Sequence, residues 1–130
     1  MPVSRVVQFI CVLDIAVTGW LALPGLSQGL FALVYWLDAQ LGFATVQPDF
    51  APVHWLMINL AGALGVLWNA ARLFDASRRL HRVDAWARLW VGGLIAAYIV
   101  GGGVTPVLLA FVATELVGSV CFWATRRDRG

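Results

Sequence analysis

Residues 85–124 read AWARLWVGGLIAAYIVGGGVTPVLLAFVATELVGSVCFWA, and this stretch decides the fold. Arg88 and Glu115 are its only charged residues. It breaks once, at Gly101-Gly102-Gly103 and Pro106. A helix that spans a bilayer needs about 20 predominantly apolar residues. Ala85 to Gly102 and Val104 to Ala124 each supply such a run, and the glycines and proline between them predict a very short hairpin. Two further runs lie upstream, Val53 to Ala71 and Val6 to Leu23. Pro24-Gly25 closes the first of these, because proline lacks the amide that the next helical turn requires. The expected fold is an all-α, integral-membrane four-helix bundle. It forms a single domain over residues 1–130, with spans at about 6–23, 53–71, 85–102 and 104–124.

Composition agrees with that reading. The chain is 61% hydrophobic and 12% charged, against about 45–50% apolar and about 25% charged in soluble domains. The apolar excess is expected to face lipid. All nine basic residues are arginine and the net charge is +2, too small a surplus for a nucleic-acid binder. Cys11 and Cys121 each lie near a helix end on the cytoplasmic side, where a reducing compartment disfavours a disulfide, so both read as structural thiols. The run after Arg5 contains Asp14 and lacks a small-residue cleavage site, so it reads as a retained first helix and not a signal peptide.

Arginine placement sets the orientation. Residues 72–88 carry Arg72, Arg78, Arg79, Arg82 and Arg88, the tail carries Arg126, Arg127 and Arg129, and residues 24–52 carry no basic residue. Basic connections remain cytoplasmic. Both termini and the middle loop are therefore expected inside, in a bacterial inner membrane. Leu26 to Leu41 is apolar enough for a short span, but a fifth crossing would put the arginine loop and the N-terminus on opposite sides. It also holds Asp38 and Gln40, with Tyr35 and Trp36 at belt positions. It is expected as an interfacial helix on the outer face, with His54 and Trp55 marking re-entry to the bilayer.

Polar residues within the spans are the candidate site, since an ionisable group at mid-bilayer costs at least about 2.5–3.5 kcal/mol. Asp14 lies nine residues from Arg5, and Glu115 eleven from Arg126. These separations place them about 13 and 16 Å above the basic row, and Asn59 about 20 Å above it. Gln8, Cys11, Asp14, Thr18 and Ala22 share one stripe of the first span, and Trp55, Asn59, Gly62, Val66 and Asn69 share one stripe of the second. Glu115 pairs with Ser119 at i, i+4, beside Gly118. Polar and small residues on one face are expected to point into the bundle. Gly93, Ala97 and Gly101 form a small-residue ladder suited to close packing within the chain or between subunits.

The expected ligand- or cation-binding residues are therefore Asp14, Thr18, Asn59, Asn69, Glu115 and Ser119. No arginine is expected at the depth of Asp14 and Glu115, which predicts a raised carboxyl pKa or a shared proton. Arg72 is expected to snorkel outward as an interface anchor. With Arg78, Arg79 and Arg82 it would meet lipid head groups. His81 is expected in solvent. No metal-ligand spacing is present and no cofactor is indicated.

The run Gly62-Ala63-Leu64-Gly65-Val66-Leu67-Trp68-Asn69-Ala70-Ala71-Arg72-Leu73 and the later Glu115-Leu116-Val117-Gly118 resemble small four-helix bacterial membrane proteins of the DoxX-like and BphX-like families. The resemblance implies a compact bundle and an accessory-subunit role. The architecture is also similar to sterol-isomerase and sigma-2-like proteins, with Asp14 in the place of the first-helix acid. Here, however, Asn59 stands where that resemblance implies a second acid. Three functions follow as expectations. The first is a small membrane protein that binds a small or lipid-like ligand or serves as an accessory subunit. The others are an oligomeric ion or proton conductor through Asp14 and Glu115, and an intramembrane acid–base enzyme such as an isomerase. Expected partners are membrane lipids, further copies of the chain, or a larger membrane complex.

Overall fold

The computed structural model describes residues 5–74 and 77–124, without the side chain of Arg78. Arg126, Arg127 and Arg129 lie outside the described residues. The described chain is all-helical. It comprises α1 (Arg5–Ala22), α2 (Leu26–Gln40), α3 (Pro52–Phe74), α4 (Arg78–Val100), a 3-10 turn (Pro106–Leu108) and α5 (Leu109–Ala124). Four of these segments are long and apolar enough to cross a membrane: Arg5–Ala22, Pro52–Phe74, Arg79–Val100 and Pro106–Ala124. Their outward faces expose large apolar side chains, among them Phe9, Trp20, Leu64, Leu67, Trp90 and Val120. α2 is the fifth helix, between α1 and α3.

One boundary moves far enough to matter. Residues 72–88 read as a basic loop, but helix occupies nearly all of them. α3 continues to Phe74, Ser77 caps α4, and the cap oxygen accepts from the Leu80 amide at 3.3 Å. A serine outside the first turn satisfies one of the amides that a helix start leaves without a partner. α4 therefore begins seven residues before the expected span. Arg72 and Asp84 become helical side chains, Arg88 moves from the first turn of the expected span to the interior of α4, and Arg79 and Arg82 stay exposed.

α1 packs along α3, and α4 along α5. Gly62 permits the first pairing: a Cβ there would lie 2.6 Å from the carbonyl carbon of Leu21, inside any real contact distance. At one end, Val7, Cys11, Ala85 and Phe122 are buried together, with Ile10, Leu73 and Trp123 against them. The start of α1, the end of α3, the start of α4 and the end of α5 thus meet at the same end of the bundle. Cys11 and Cys121 are free thiols. The ladder of Gly93, Ala97 and Gly101 faces outward. A Cβ on Gly93 would touch nothing within 4 Å, and the buried glycine of α4 is Gly92. Gln8 is likewise exposed, and Val7 takes the inward position.

The opposite end is fastened by polar groups. Asn59 donates to the Leu21 carbonyl at 2.7 Å and to Ser27 Oγ at 3.0 Å, joining α3 to the α1–α2 corner. Gly25, at φ +85°, turns that corner in a region that side chains resist. Asp38 is wholly buried; it accepts from the Thr105 hydroxyl, and from the Thr45 amide at 2.7 Å. Phe31 meets Phe50 and Trp55 edge to face, and Phe50 and Trp55 tilt against each other to close this end. His54 Nδ1 accepts from the Ala51 amide at 3.0 Å at the start of α3.

Two outcomes follow. Gly62→Ala should lower the thermal midpoint in detergent, an overpacking cost of about 1–3 kcal/mol, while Gly93→Ala should leave it unchanged or slightly raised. Equal effects would show that α1 and α3 do not approach closely at Gly62. The second concerns Asp38. Burial by itself would raise its pKa, but the hydrogen bonds from Thr105 and Thr45 outweigh burial and hold it below the ordinary value. Ionised Asp38 therefore favours the folded state above the usual aspartate pKa of about 3.9. That contribution is lost as the pH falls through the lowered folded-state value. Amide protection across residues 26–40, taken relative to the intrinsic exchange rate at each pH, should fall on acidification in the wild type, and much less so in Asp38→Asn.

Candidate functional site: an ion-pair network between the helices

Four helices bring five charged side chains together. Arg88 of α4 is nearly buried and holds three carboxylates at once. Its Nε donates to Asp84 Oδ2 at 2.9 Å, its Nη1 to Glu115 Oε2 at 3.0 Å, and its Nη2 to Asp14 Oδ2. Asp84 lies one turn earlier on the same helix; Asp14 comes from α1 and Glu115 from α5. Arg72 of α3 places Nη1 2.9 Å from Asp84 Oδ1, 2.8 Å from Asn69 Oδ1 and 3.9 Å from Asp14 Oδ2. Trp68 Nε1 donates to Asp84 Oδ1 at 2.9 Å.

Local sequence explains these directions. Asp84, Arg88 and Gly92 recur every four residues and share one face of α4. Gly118 provides the seat for Arg88: a Cβ there would fall 2.8 Å from Nη1 and 3.0 Å from Cδ. Ser119, one residue on, donates to the Ala85 carbonyl at 3.1 Å and pins α5 to α4 beside that seat. Phe122 lies under both guanidinium groups, with its ring centroid 4.3 Å from Arg72 Cζ and 5.5 Å from Arg88 Cζ. Among the described residues Arg72 Nε and Nη2 have no hydrogen-bond partner, and the aromatic face of Phe122 lies against the guanidinium.

Burial grades the five charges. Arg72 is fully enclosed, and the side chains of Asp84 and Arg88 are 4% and 7% exposed, whereas Asp14 and Glu115 are each 23% exposed. Those two carboxylates form the rim. Asp14 Oδ1 and Glu115 Oε1 take no hydrogen bond from the described residues, since every bond to these carboxylates ends on Oδ2 or Oε2. With all five groups ionised, three carboxylates face two guanidiniums and leave one negative charge over.

Several expectations change against this geometry. Asp14 and Glu115 do meet, but arginine is present at their depth: Arg88 reaches both, because α4 is already helical there. Arg72 does not snorkel toward head groups; its side chain is the most enclosed of the five charges in the network, turned inward by Asp84 and Asn69. His81 is not in open solvent but packs edge-on against Phe122, 5.3 Å between centroids. Among the remaining site residues, Asn69 joins the network, Ser119 supports it, and Thr18 hydroxyl donates to the Asp14 carbonyl of its own helix at 2.7 Å. Asn59 stands apart at the other end of the bundle. Asp84, Arg88 and Trp68 were missed, although the four-residue spacing of Asp84, Arg88 and Gly92 is visible in the sequence.

Among known proteins, no family model matches the chain, and neither a curated protein nor a solved structure is significantly similar to it. The site's own chemistry therefore carries the functional argument.

Breaking a buried ion pair from one side leaves its partner charged and desolvated, a cost of about 3–5 kcal/mol. Asp84→Asn, which strips both guanidiniums of their most buried partner, should fall in that range by denaturant unfolding in micelles. Exposed Arg79→Gln should change stability by less than about 0.5 kcal/mol. Comparable losses in the two variants would remove Asp84 from the centre of the network.

Proposed function

We propose that this chain is a multi-pass protein of a bacterial inner membrane whose charged centre binds a small or lipid-like ligand through a cationic or hydrogen-bond-donating group. The termini and the α3–α4 connection would lie on the cytoplasmic side, by the arginine distribution. One observation carries the ligand reading. In a network otherwise enclosed and paired, Asp14 and Glu115 stand at the rim with a carboxylate oxygen each unbonded, on a site with surplus negative charge. Functional ionisable groups inside a membrane are usually those left facing an opening. The apolar outer faces of α1 and α5 would let the tail of an amphiphile lie beside them.

The conducting and acid–base readings draw less support from this geometry. Both need Asp14 and Glu115 free to exchange ions or protons with a moving species, and Arg88 ties both. An accessory-subunit role, implied by the resemblance to DoxX-like and BphX-like proteins, uses the same rim differently: a donor on a partner helix would occupy it.

Native mass spectrometry after gentle extraction tests the proposal. The wild type should carry one discrete small molecule or lipid, and Asp14→Asn should lose it while Asn59→Ala, remote from the rim, retains it. A wild type that is bare in every extraction would overturn ligand binding. A second polypeptide that departs with the Asp14 substitution would replace it with the accessory role.

A further inference from the structure

The same network has a second consequence that needs no ligand. We infer that Glu115 carries a proton at neutral pH, making Oε1 of this side chain an intramembrane proton-binding site that is coupled to the charge of Asp14. The groups facing the pair are Cys11 and Asp14 on α1, Arg72 on α3, Asp84 and Arg88 on α4, and Glu115 on α5. Three acids share two guanidiniums, and a lone surplus charge out of water is costly enough that the group neutralises.

The hydrogen bonds decide which acid takes the proton. Asp84 meets Trp68, Arg72 and Arg88, all at 2.9 Å. Asp14 meets Arg88 and has Arg72 3.9 Å away. Glu115 has one cationic contact, Arg88 Nη1 at 3.0 Å on Oε2. Its other oxygen is free. A proton on Oε1 leaves the Oε2 bond to Arg88 in place and turns Oε1 from an acceptor into a donor. A metal cation is the poorer occupant, since hard cations gather about six or more oxygen ligands. Among the described residues no group of three or more His, Cys, Asp or Glu side chains is arranged to hold one.

Glu115 is the single glutamate of the chain, so an isotope label reads it without any substitution. The full-length protein, made by cell-free synthesis with carboxyl-labelled glutamate and reconstituted in liposomes, is followed by infrared spectroscopy against pH. A labelled carboxylic-acid stretch should be present at neutral pH and give way to the carboxylate stretch as the pH is raised. In Asp14→Asn the remaining charges balance, so Glu115 should ionise and the acid signal at neutral pH should disappear. Arg72 still crosses from α3 to Asp84 in that variant, and Arg88 still holds Asp84 and Glu115. A wild-type Glu115 already ionised at neutral pH would overturn the inference. So would an acid signal that persists in Asp14→Asn, because burial alone and not the surplus charge would then hold the proton. A cationic ligand at the rim would balance the surplus charge and ionise Glu115, so the spectrum is recorded on protein that native mass spectrometry shows to carry no such molecule. The acid band then tests this inference and the co-purified molecule tests the ligand reading, and the two fail separately.

Discussion

Arg88 is the constraint on which the bundle depends. One guanidinium offers donors in three directions, and each direction meets a carboxylate from a different place: its own helix, α1 and α5. α1 packs mainly with α3, and α4 mainly with α5. The ion pairs that cross from one pair to the other are therefore what fixes their relative position, with Arg72 adding a second crossing from α3 to Asp84. If the four apolar helices lie in a bilayer, apolar packing alone would not specify it, because helix surfaces rich in leucine and valine are nearly as well solvated by lipid as by one another.

The two ends of the molecule use polar groups in different ways. At the α2 end the bonds are local in purpose: Asn59 ties a helix to a corner, and Asp38 ties α2 to the segment before the 3-10 turn through Thr105. Each acceptor there faces neutral donors, and the carboxylate of Asp38 is held by hydrogen bonds from Thr105 and Thr45. At the other end the partners are charged and unequal in number. Replacing such a network with apolar side chains is often neutral or stabilising, so stability alone is a weak reason for its presence. A surplus carboxylate at the rim is a chemical property that an apolar core would not supply.

What the sequence made legible follows from range. Apolar runs, a proline-glycine corner and a glycine-rich hairpin act within a few residues, so the four long helices and α2 were readable, apart from the seven residues by which α4 begins early. Asp14 and Glu115 were readable as site residues because a charge in an apolar run stands out. Arg72 and Arg88 were not, since arginines at span edges serve equally as topological markers, and that use leaves their inward direction unconstrained. The information was in Ser77. A capped α4 beginning at Arg78 sets the phase of Asp84, Arg88 and Gly92, and phase decides whether a charge faces lipid or helix. Asn59 failed in the opposite way: depth placed it near the acids, but its partners at Leu21 and Ser27 lie across a turn that depth does not register.

The grading of exposure across the network bears on what it can do. A site meant only to hold helices together has no need to leave its weakest-paired acid at the edge. Here the order of burial follows the order of cationic support: Asp84 is deepest and best paired, while Asp14 and Glu115 reach the rim, and Glu115 leans on a single guanidinium contact. Any change of charge at the rim, whether by a proton, a ligand cation or a donor on a partner helix, acts first on Glu115 and Asp14. It is then felt at Arg88, and through Arg88 by α1, α4 and α5 together. The residue that holds the two helix pairs in place would thus also be the one to register any such change.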